Sequence, residues 1–422
     1  MIKKHLHSNN NKLIENIASL GLIQVANFLI PLLIIPYIAR ALGVEAIGKV
    51  GYAQTIISYL TIIVNYGFEY SATQDIAIHK NDKKKLHNIF WAVIKNKAIF
   101  LFFTFILLFF LYLFTDFVRQ EPLLYLSVAL MNIGIVLFPT WFFQGIEKMK
   151  GMAIFNFLIK LFGSGITVFL VSSPEDYIIY ALLPSLSYVV FGFLSFVYII
   201  KKYDLFPFKN DKEANQQALK KGFPIFLNTF FVSLYTTANF TILGFFVNDI
   251  DLGLYAGAYK IIMAINIITV SPISMGIFPL ISQKFEDSLK SGFHFLKKIL
   301  FLFGGLSAII SFITYIFAEE LTLIILGKEF YASIDLLKYF SITTFLVILG
   351  TLLTVQGLYG AKLQRYAPWI GFILSVFCIS LNFILIPILG VKGSILSWIF
   401  TQVLEIIIVS TILRIFFKKN LV

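Results

Sequence analysis

Charged side chains lie deep inside several apolar stretches of the sequence, where an ionised group is costly and usually serves a function. Lys160 lies one helical turn after Asn156, Lys260 lies in a later stretch, and Glu405 lies near the middle of the last one. Two ammonium groups could hold a phosphate as point charges. A buried carboxylate could instead take up a proton or a sodium ion, or pair with a lysine. We therefore treat Lys160, Asn156 and Lys260 as candidate binding residues and Glu405 as a candidate ion-coupling residue.

Polar side chains also recur at helical spacing in three other apolar stretches, which places each group on one face of a helix. The three stripes are Gln24 with Asn27; Gln54, Ser58, Thr61 and Asn65; and Asn228, Tyr235 and Asn239. Hydrogen bonds between helices, each worth about 0.6 kcal/mol in a membrane, would explain any one stripe. Three stripes together favour a wetted central cavity lined by these residues.

Charged residues at the ends of the first two apolar stretches could form gates. Arg40 follows the first stretch, and Glu69 and Asp75 follow the second. Arg40 could contact a phosphate or anchor its helix at the membrane interface, and the sequence leaves both open. Lysines nearer to helix ends, such as Lys97, can extend to the interface, so we assign them no binding role.

The remaining residues do not form a pattern typical of an enzyme active site or a metal site. The sequence has five histidines and a single cysteine, Cys378, which lies in an apolar stretch. Neither a disulfide framework nor a cysteine metal site can therefore form. No glycine-rich phosphate-binding loop with a lysine is present, and the hydrophilic segments are short. We expect neither an enzyme activity nor a cofactor.

The composition indicates an integral membrane protein. Hydrophobic residues make up 59% and charged residues 13% of the 422 residues, whereas soluble domains are about 45–50% apolar and about 25% charged. The net charge of +12 could suggest nucleic acid as a partner, but the basic residues lie between apolar stretches rather than on one face of a domain. The first apolar stretch is longer than the core of a signal peptide, about 7–15 residues, so we expect a retained helix.

Apolar stretches of the length needed to cross a membrane, about 20 residues, occur twelve times. They cover residues 14–39, 46–68, 89–114, 122–143, 152–172, 176–200, 222–247, 253–281, 293–318, 332–359, 366–389 and 393–417. Most of the 34 lysines and arginines fall in alternate hydrophilic segments, beginning with the N-terminal one. By the positive-inside rule, both termini are then cytoplasmic. The predicted fold is all-α, with twelve transmembrane helices.

A weak internal repeat divides the predicted helices into two bundles of six. Gln144-Gly145-Ile146 ends the fourth predicted span and Gln356-Gly357-Leu358 ends the tenth. The longest hydrophilic segment follows the sixth span. We therefore predict an N-terminal bundle over 1–203, a cytoplasmic linker over 204–221 and a C-terminal bundle over 222–422, related as parallel repeats with substrate between them.

The order and spacing of several short motifs resemble those of the O-antigen flippase (Wzx) family. The motifs are PYIARALG (36–43), GKVGYAQ (48–54), NYGF (65–68), ATQD (72–75), WFFQGIE (141–147), GLYAGAYK (253–260) and FPLIS (278–282). The resemblance covers nearly the whole chain and implies membership of the multidrug/oligosaccharidyl-lipid/polysaccharide (MOP) exporter superfamily. The peptidoglycan-precursor flippases of that superfamily resemble fourteen-helix proteins with several cavity arginines. The twelve helices predicted here instead favour the repeat-unit flippases.

The resemblance also implies a function. It implies a cavity lined largely by helices one, two, seven and eight, and a polyprenyl-pyrophosphate-linked oligosaccharide moved from the inner to the outer leaflet of the bacterial cytoplasmic membrane. Membrane lipids, a polysaccharide polymerase and a chain-length regulator are the other expected partners, and coupling to protons or sodium stays open. A multidrug or small-cation exporter of the same superfamily is the alternative. A membrane glycosyltransferase or polymerase is a weaker one, because the outer segments are short.

Lys160 provides a test of this interpretation. Replacing Lys160 with Ala should abolish translocation of the lipid-linked sugar while membrane insertion stays normal, because a phosphate would lose its point-charge partner. The measurement is the amount of lipid-linked oligosaccharide that reaches the outer leaflet in cells carrying the variant. Wild-type translocation by this variant would remove Lys160 from the mechanism.

Overall fold

The computed structural model describes the backbone of residues 2–208 and 211–421, and the side chains of residues 30, 33–208, 211–270 and 277–420. Every regular element of this backbone is helical. The first half of the chain forms α1 (Ile2–Asn65), α2 (Phe68–Ile78), α3 (Lys83–Phe114), α4 (Asp116–Gln120), α5 (Pro122–Ala129), α6 (Met131–Leu137), α7 (Thr140–Gly145), α8 (Met149–Lys160), α9 (Thr167–Leu170) and α10 (Tyr177–Lys202). The second half forms α11 (Lys212–Leu243), α12 (Asp249–Asp287), α13 (Leu289–Ile316), α14 (Ala318–Ile325), α15 (Ser333–Thr351), α16 (Ala367–Leu389) and α17 (Val391–Leu421).

Tighter or wider helical turns interrupt these elements. Two π-helical segments, Leu161–Gly165 and Leu352–Tyr359, follow α8 and α15 directly. Three short 3-10 helices cover Pro174–Asp176, Lys328–Phe330 and Gln364–Tyr366. Within α1, Gly43 has a φ of 73° and marks a kink, a backbone conformation that glycine adopts without steric cost.

Ten stretches of the described residues are long and apolar enough to cross a membrane. They coincide with the last ten predicted spans and usually start earlier. Asp82, for example, accepts a hydrogen bond of 3.1 Å from the backbone N–H of Lys85, and this N-cap lets α3 begin at Lys83, before the apolar stretch. The first two predicted spans both fall in α1, where side chains before residue 30 are not described, so the number twelve stays a prediction.

The chain divides into two compact units. Unit 1 contains residues 1–42 and 53–230, and unit 2 contains residues 43–52 and 231–422. The helices α1 and α11 therefore supply residues to both. Asp211 accepts a hydrogen bond from the backbone N–H of Ala214, so α11 begins at Lys212 and more than half of the predicted linker is helical. The predicted bundle boundaries at 203 and 222 remain a prediction.

Each unit has its own apolar core. The core of unit 1 is rich in aromatic side chains, with Phe68, Phe90, Trp91, Trp141 and Phe142 buried, and the rings of Phe90 and Trp91 meet edge to face at 5.4 Å. Edge-to-face contacts of this kind add to the stability that burial provides. The core of unit 2 is aliphatic over most of its members and lies among α12, α13, α15, α16 and α17.

Glycines allow a close helix contact in unit 2. A Cβ atom on Gly253 of α12 would overlap the carbonyl oxygen of Val44, and one on Gly48 would overlap the carbonyl oxygen of Asp249. Small residues let helix backbones approach closely in membranes, where packing rather than the hydrophobic effect holds helices together.

The Gly253→Ala variant tests this contact. We expect it to destabilise the protein by about 1–3 kcal/mol, because the added methyl group forces α12 away from residues 44–48. The measurement is the melting temperature of the purified protein in detergent. Gly305→Ala is the matched control, because a Cβ there would meet nothing within 4 Å. An equal melting temperature for both variants would contradict the assigned contact.

Candidate functional site

A cavity of about 350 Å³ lies within unit 2 among α11, α12, α15 and α17. On α15 and α17 the lining residues are three, four or seven positions apart, which places them on one face of each helix. The lining consists of Tyr235, Thr236, Tyr259, Met263, Asn266, Ile267, Val270, Val347, Thr351, Trp398, Gln402 and Glu405. Pockets that hold small molecules range from about 300 to 1,000 Å³, so this cavity has the size of a small binding site.

Glu405 is the one charged residue among those lining residues, and it is 8% exposed. The Thr354 hydroxyl donates a hydrogen bond of 3.0 Å to its Oε1 atom. Thr354 lies in the π-helical segment that follows α15, and such segments often occur at functional sites. The side chains of Glu405 and Gln402 both approach Gly350 of α15, so α17 directs a carboxylate and an amide to the same place.

Two other polar side chains of the cavity lack a hydrogen-bond partner among the described residues. Both polar atoms of the Asn266 amide are unpartnered, and so is the Trp398 indole N–H. Asn266 is 4% exposed and Trp398 is 3% exposed. Leaving such a group unsatisfied costs about 1–3 kcal/mol. These atoms are available to a polar guest of the cavity, either water or a ligand.

Aromatic rings fix the wall of the cavity around Trp398. The Trp398 ring lies 5.8 Å from the Tyr259 ring and 5.8 Å from the Phe340 ring, and Tyr259 stacks on Tyr255 at 6.0 Å. Because these rings contact one another, the indole is positioned before any ligand binds.

The sequence interpretation missed Trp398, Gln402 and Asn266. Trp398, Gln402 and Glu405 follow the spacing i, i+4, i+7, which would have shown that they share one face of a helix.

A separate polar cluster in unit 2 connects three helices. The Asn382 amide donates a hydrogen bond of 2.8 Å to Asn239 Oδ1, and the Ser394 hydroxyl donates one of 3.1 Å to the Asn239 carbonyl. Asn239, predicted to bind substrate, therefore joins α11 to α16 and α17. Tyr235, predicted from the same stripe, does line the cavity.

Unit 1 contains a buried ion pair that the sequence did not predict. The Nζ atom of Lys97 lies 3.2 Å from Glu69 Oε1, with the lysine side chain 0% and the glutamate side chain 32% exposed. The Thr140 hydroxyl donates a hydrogen bond to Glu69 Oε2. The expectation that Lys97 extends to the interface is wrong, because α2 places a carboxylate beside it. Glu69 lies in the first turn of α2, where the helix dipole favours a negative charge.

Asp75 also forms an ion pair in unit 1. Lys221 Nζ lies 2.6 Å from Asp75 Oδ1, which joins α2 to the beginning of α11. Both residues line a second cavity of about 390 Å³, together with acidic, basic and amide side chains. The predicted gating residues Glu69 and Asp75 are thus both held by lysines.

Three of the other predicted polar residues, Lys160, Asn156 and Thr61, lie in unit 1. Lys160 ends α8, and its ammonium lies 5.5 Å from the centre of the Tyr188 ring. Asn156 is buried, and its Oδ1 atom has no hydrogen-bond partner among the described residues. In the stripe that begins at Gln54, the Thr61 hydroxyl donates a hydrogen bond of 2.7 Å to the Asn132 side chain. This bond joins α1 to α6.

Burial differs among the remaining members of the predicted set. Arg40 and Gln54 are exposed, and Asn65, Asn228 and Lys260 are partly buried. Lys260 lies in unit 2 but does not line the described cavity. The side chains of Gln24 and Asn27 lie outside the described residues.

Comparison with known proteins identifies the family. Residues 13–285 match the family model described as "Polysaccharide biosynthesis protein". The chain belongs to this polysaccharide biosynthesis protein family. A relative from Escherichia coli (strain K12), named "Putative O-antigen transporter", is 29% identical over 83% of this chain and 84% of its own length. A protein of the same name from Shigella dysenteriae is 28% identical over 93% of this chain and 98% of its own length.

Solved structures share the fold of this family member. A multidrug resistance MATE family transporter of the MOP superfamily, in an inward-facing conformation, superposes with a TM-score of 0.73 at 13% identity, covering 96% of this chain and 99% of that one. The lipid II flippase MurJ, in an inward closed conformation, gives a TM-score of 0.71 at 14% identity, covering 95% and 87%. The predicted resemblance to the O-antigen flippases is confirmed by the two relatives from Escherichia coli and Shigella dysenteriae, the fold is shared with transporters of the MOP superfamily, and the protein is a multi-pass protein of the bacterial inner membrane.

The buried ion pair of unit 1 gives a stability prediction. The Lys97→Met variant should lose about 2–3 kcal/mol of unfolding free energy. Breaking a fully buried ion pair costs about 3–5 kcal/mol. We expect a loss at or below the lower end of that range, because Glu69 keeps some contact with solvent. Adding Glu69→Gln should recover most of the loss, since the unpaired charge disappears. Thermal unfolding in detergent measures both variants.

Lys80→Met is the control for that experiment. Lys80 Nζ lies 3.0 Å from Glu147 Oε1, a similar distance, but both side chains are largely exposed. Exposed pairs are worth about 0–1 kcal/mol. Equal losses for Lys97→Met and Lys80→Met would show that burial of the Lys97 pair does not matter.

Proposed function

We propose that the protein flips a polyprenyl-pyrophosphate-linked oligosaccharide repeat unit from the inner to the outer leaflet by alternating access. The observation that carries this proposal is the polar cavity of unit 2, where a carboxylate, an amide and an indole N–H are held in a membrane-spanning region. Polar groups at such depth are expensive and mark substrate pathways. Family membership and the names of the two relatives point to a lipid-linked saccharide as the substrate.

The energetic need for such a protein is large. Moving a pyrophosphate and several hydroxyl groups through bare hydrocarbon would cost tens of kcal/mol. Side chains of the protein replace the lost water, while the polyprenyl tail stays in the lipid. An inside-negative membrane potential favours outward movement of the anion by about 2.3 kcal/mol per charge per 100 mV.

Several finer features belong to the same proposal. The twelve spans form two six-helix bundles with both termini in the cytoplasm. Lys160, Lys260, Arg40 and those members of the polar stripes that do not join helices to one another contact the substrate. Glu69, Asp75 and Glu405 act in gating or in coupling to protons or sodium. A polysaccharide polymerase and a chain-length regulator act on the product.

Export of a small organic cation is the second candidate function. The cavity favours it in one respect, because Glu405 is the charged residue of the described lining and the aromatic rings of Trp398 and Tyr259 lie nearby. Carboxylates and aromatic faces both attract cations. The MATE family transporter of similar fold is named for multidrug resistance.

One experiment separates the two functions. In a strain deleted for this gene, the flippase proposal predicts that lipid-linked repeat units accumulate on the inner leaflet. Re-expression should restore their appearance outside without raising resistance to cationic dyes. Unchanged leaflet distribution, with dye resistance gained on expression, would contradict the flippase and support the exporter.

A further inference from the structure

The cavity of unit 2 differs from what a phosphate-binding site requires. None of its described lining residues is a lysine or an arginine, and Glu405 contributes a carboxyl group. A pyrophosphate entering it would lose its hydration without gaining an opposite charge, and it would face a group of like charge when Glu405 is ionised. The expected pair of lysines does not form this cavity.

We propose that this cavity is a subsite for one uncharged sugar ring of the lipid-linked oligosaccharide, and that it rejects acidic sugars and the pyrophosphate. The inference rests on the proposed flippase function and adds to it a position and a chemical class. It concerns six residues: Tyr235, Tyr259, Asn266, Trp398, Gln402 and Glu405.

The size and the aromatic lining of the cavity suit a single ring. At about 350 Å³ it lies near the lower limit for small-molecule pockets, about 300 Å³. A sugar ring has apolar C–H faces and a polar rim. Trp398 and Tyr259, which hold each other at 5.8 Å, offer flat apolar surfaces to such a face, and aromatic side chains lose little entropy on binding.

The unpartnered polar atoms match the rim of a sugar. A hydroxyl group can donate one hydrogen bond and accept others. Asn266 supplies one donor atom and one acceptor atom without partners among the described residues, and Trp398 supplies a donor only. Glu405 and Gln402, which both lie beside Gly350, add acceptors from α17, the helix that also carries Trp398. Apolar drugs would leave the Asn266 amide unsatisfied.

Specificity follows from this arrangement. A site that hydrogen-bonds a hydroxyl group discriminates strongly against an analogue without that group, because buried polar atoms of the protein are then left unpaired. Asn266 and Trp398 would therefore select among sugars by the position of their hydroxyl or acetamido groups. The absence of a basic residue from the described lining would select against uronic acids.

Binding to the purified full-length protein in lipid nanodiscs tests the chemical class. The probes are the methyl glycosides of glucose, galactose and N-acetylglucosamine, methyl glucuronide, inorganic pyrophosphate and tetraphenylphosphonium. The readout is the Trp398 fluorescence, taken as the difference between the wild-type protein and W398F. We expect saturable binding of at least one neutral glycoside, and we expect methyl glucuronide and pyrophosphate to bind at least about tenfold more weakly than that glycoside.

The N266A variant should bind the neutral glycoside about tenfold more weakly than the wild-type protein does, which is the loss expected for a hydrogen-bonding side chain.

Three outcomes of the binding experiment would overturn the subsite. The first is tighter binding of pyrophosphate or tetraphenylphosphonium than of every neutral glycoside. The second is an affinity for the neutral glycoside that N266A leaves unchanged. The third is no binding of any neutral glycoside. E405Q adds a specific readout, because removing the acidic group should narrow the gap between the glucuronide and the neutral sugars.

Transport of the native substrate distinguishes failure of the subsite from failure of the flippase. In the deletion strain, N266A and W398L should each lower the appearance of lipid-linked repeat units outside by at least about tenfold. W369L is the control, because Trp369 is 69% exposed and does not line the cavity. If W398L does not accumulate in the membrane, W398F replaces it and should lower transport by its missing N–H. Wild-type rates for N266A and for the Trp398 variant would overturn the subsite alone, whereas no transport by the wild-type protein would refute the flippase.

Discussion

The structure depends on how polar atoms are satisfied in a region that offers them no water. Most polar groups inside the helices are paired with a neighbour, as Thr61 is with Asn132 in unit 1 and Asn382 with Asn239 in unit 2. The Glu69–Lys97 pair applies the same rule to charges. Single atoms such as Asn156 Oδ1 and the Trp141 indole N–H also lack partners among the described residues, but the cavity of unit 2 brings two such side chains, Asn266 and Trp398, to one open space. A departure of this kind is costly for folding and is understandable where a substrate supplies the missing partners.

The proposed substrate, a lipid-linked saccharide, combines two kinds of chemistry that place different demands on the protein. A pyrophosphate needs positive charge, whereas an uncharged sugar needs flat apolar surfaces and hydrogen-bonding groups of both types. The cavity of unit 2 meets the second demand and not the first, since its charged lining residue is Glu405. Lys160 and Lys260 stay candidates for the first demand. Under the proposed function, separate recognition of the sugar and the pyrophosphate would allow the sugar specificity to change without a change at the anion site.

The sequence predicted the membrane helices well, because hydropathy over twenty residues depends little on tertiary contacts. Ten predicted spans coincide with observed helices, and N-caps such as Asp82 account for their earlier starts. The site was predicted in part. Tyr235 and Glu405 stood out as polar residues in apolar stretches, but Asn266, Gln402 and Trp398 did not, because an isolated amide or an aromatic residue is common in helix packing. Lys97 was misjudged because its partner, Glu69, lies on another helix, and a sequence does not show such contacts.

An experimental structure of the protein with its lipid-linked oligosaccharide bound would test the central claim most directly. We expect a sugar ring against Trp398, within hydrogen-bonding distance of the Asn266 amide, and the pyrophosphate outside the cavity of unit 2. A bound state in which a lipid chain fills that cavity, or in which the pyrophosphate lies beside Glu405, would contradict it.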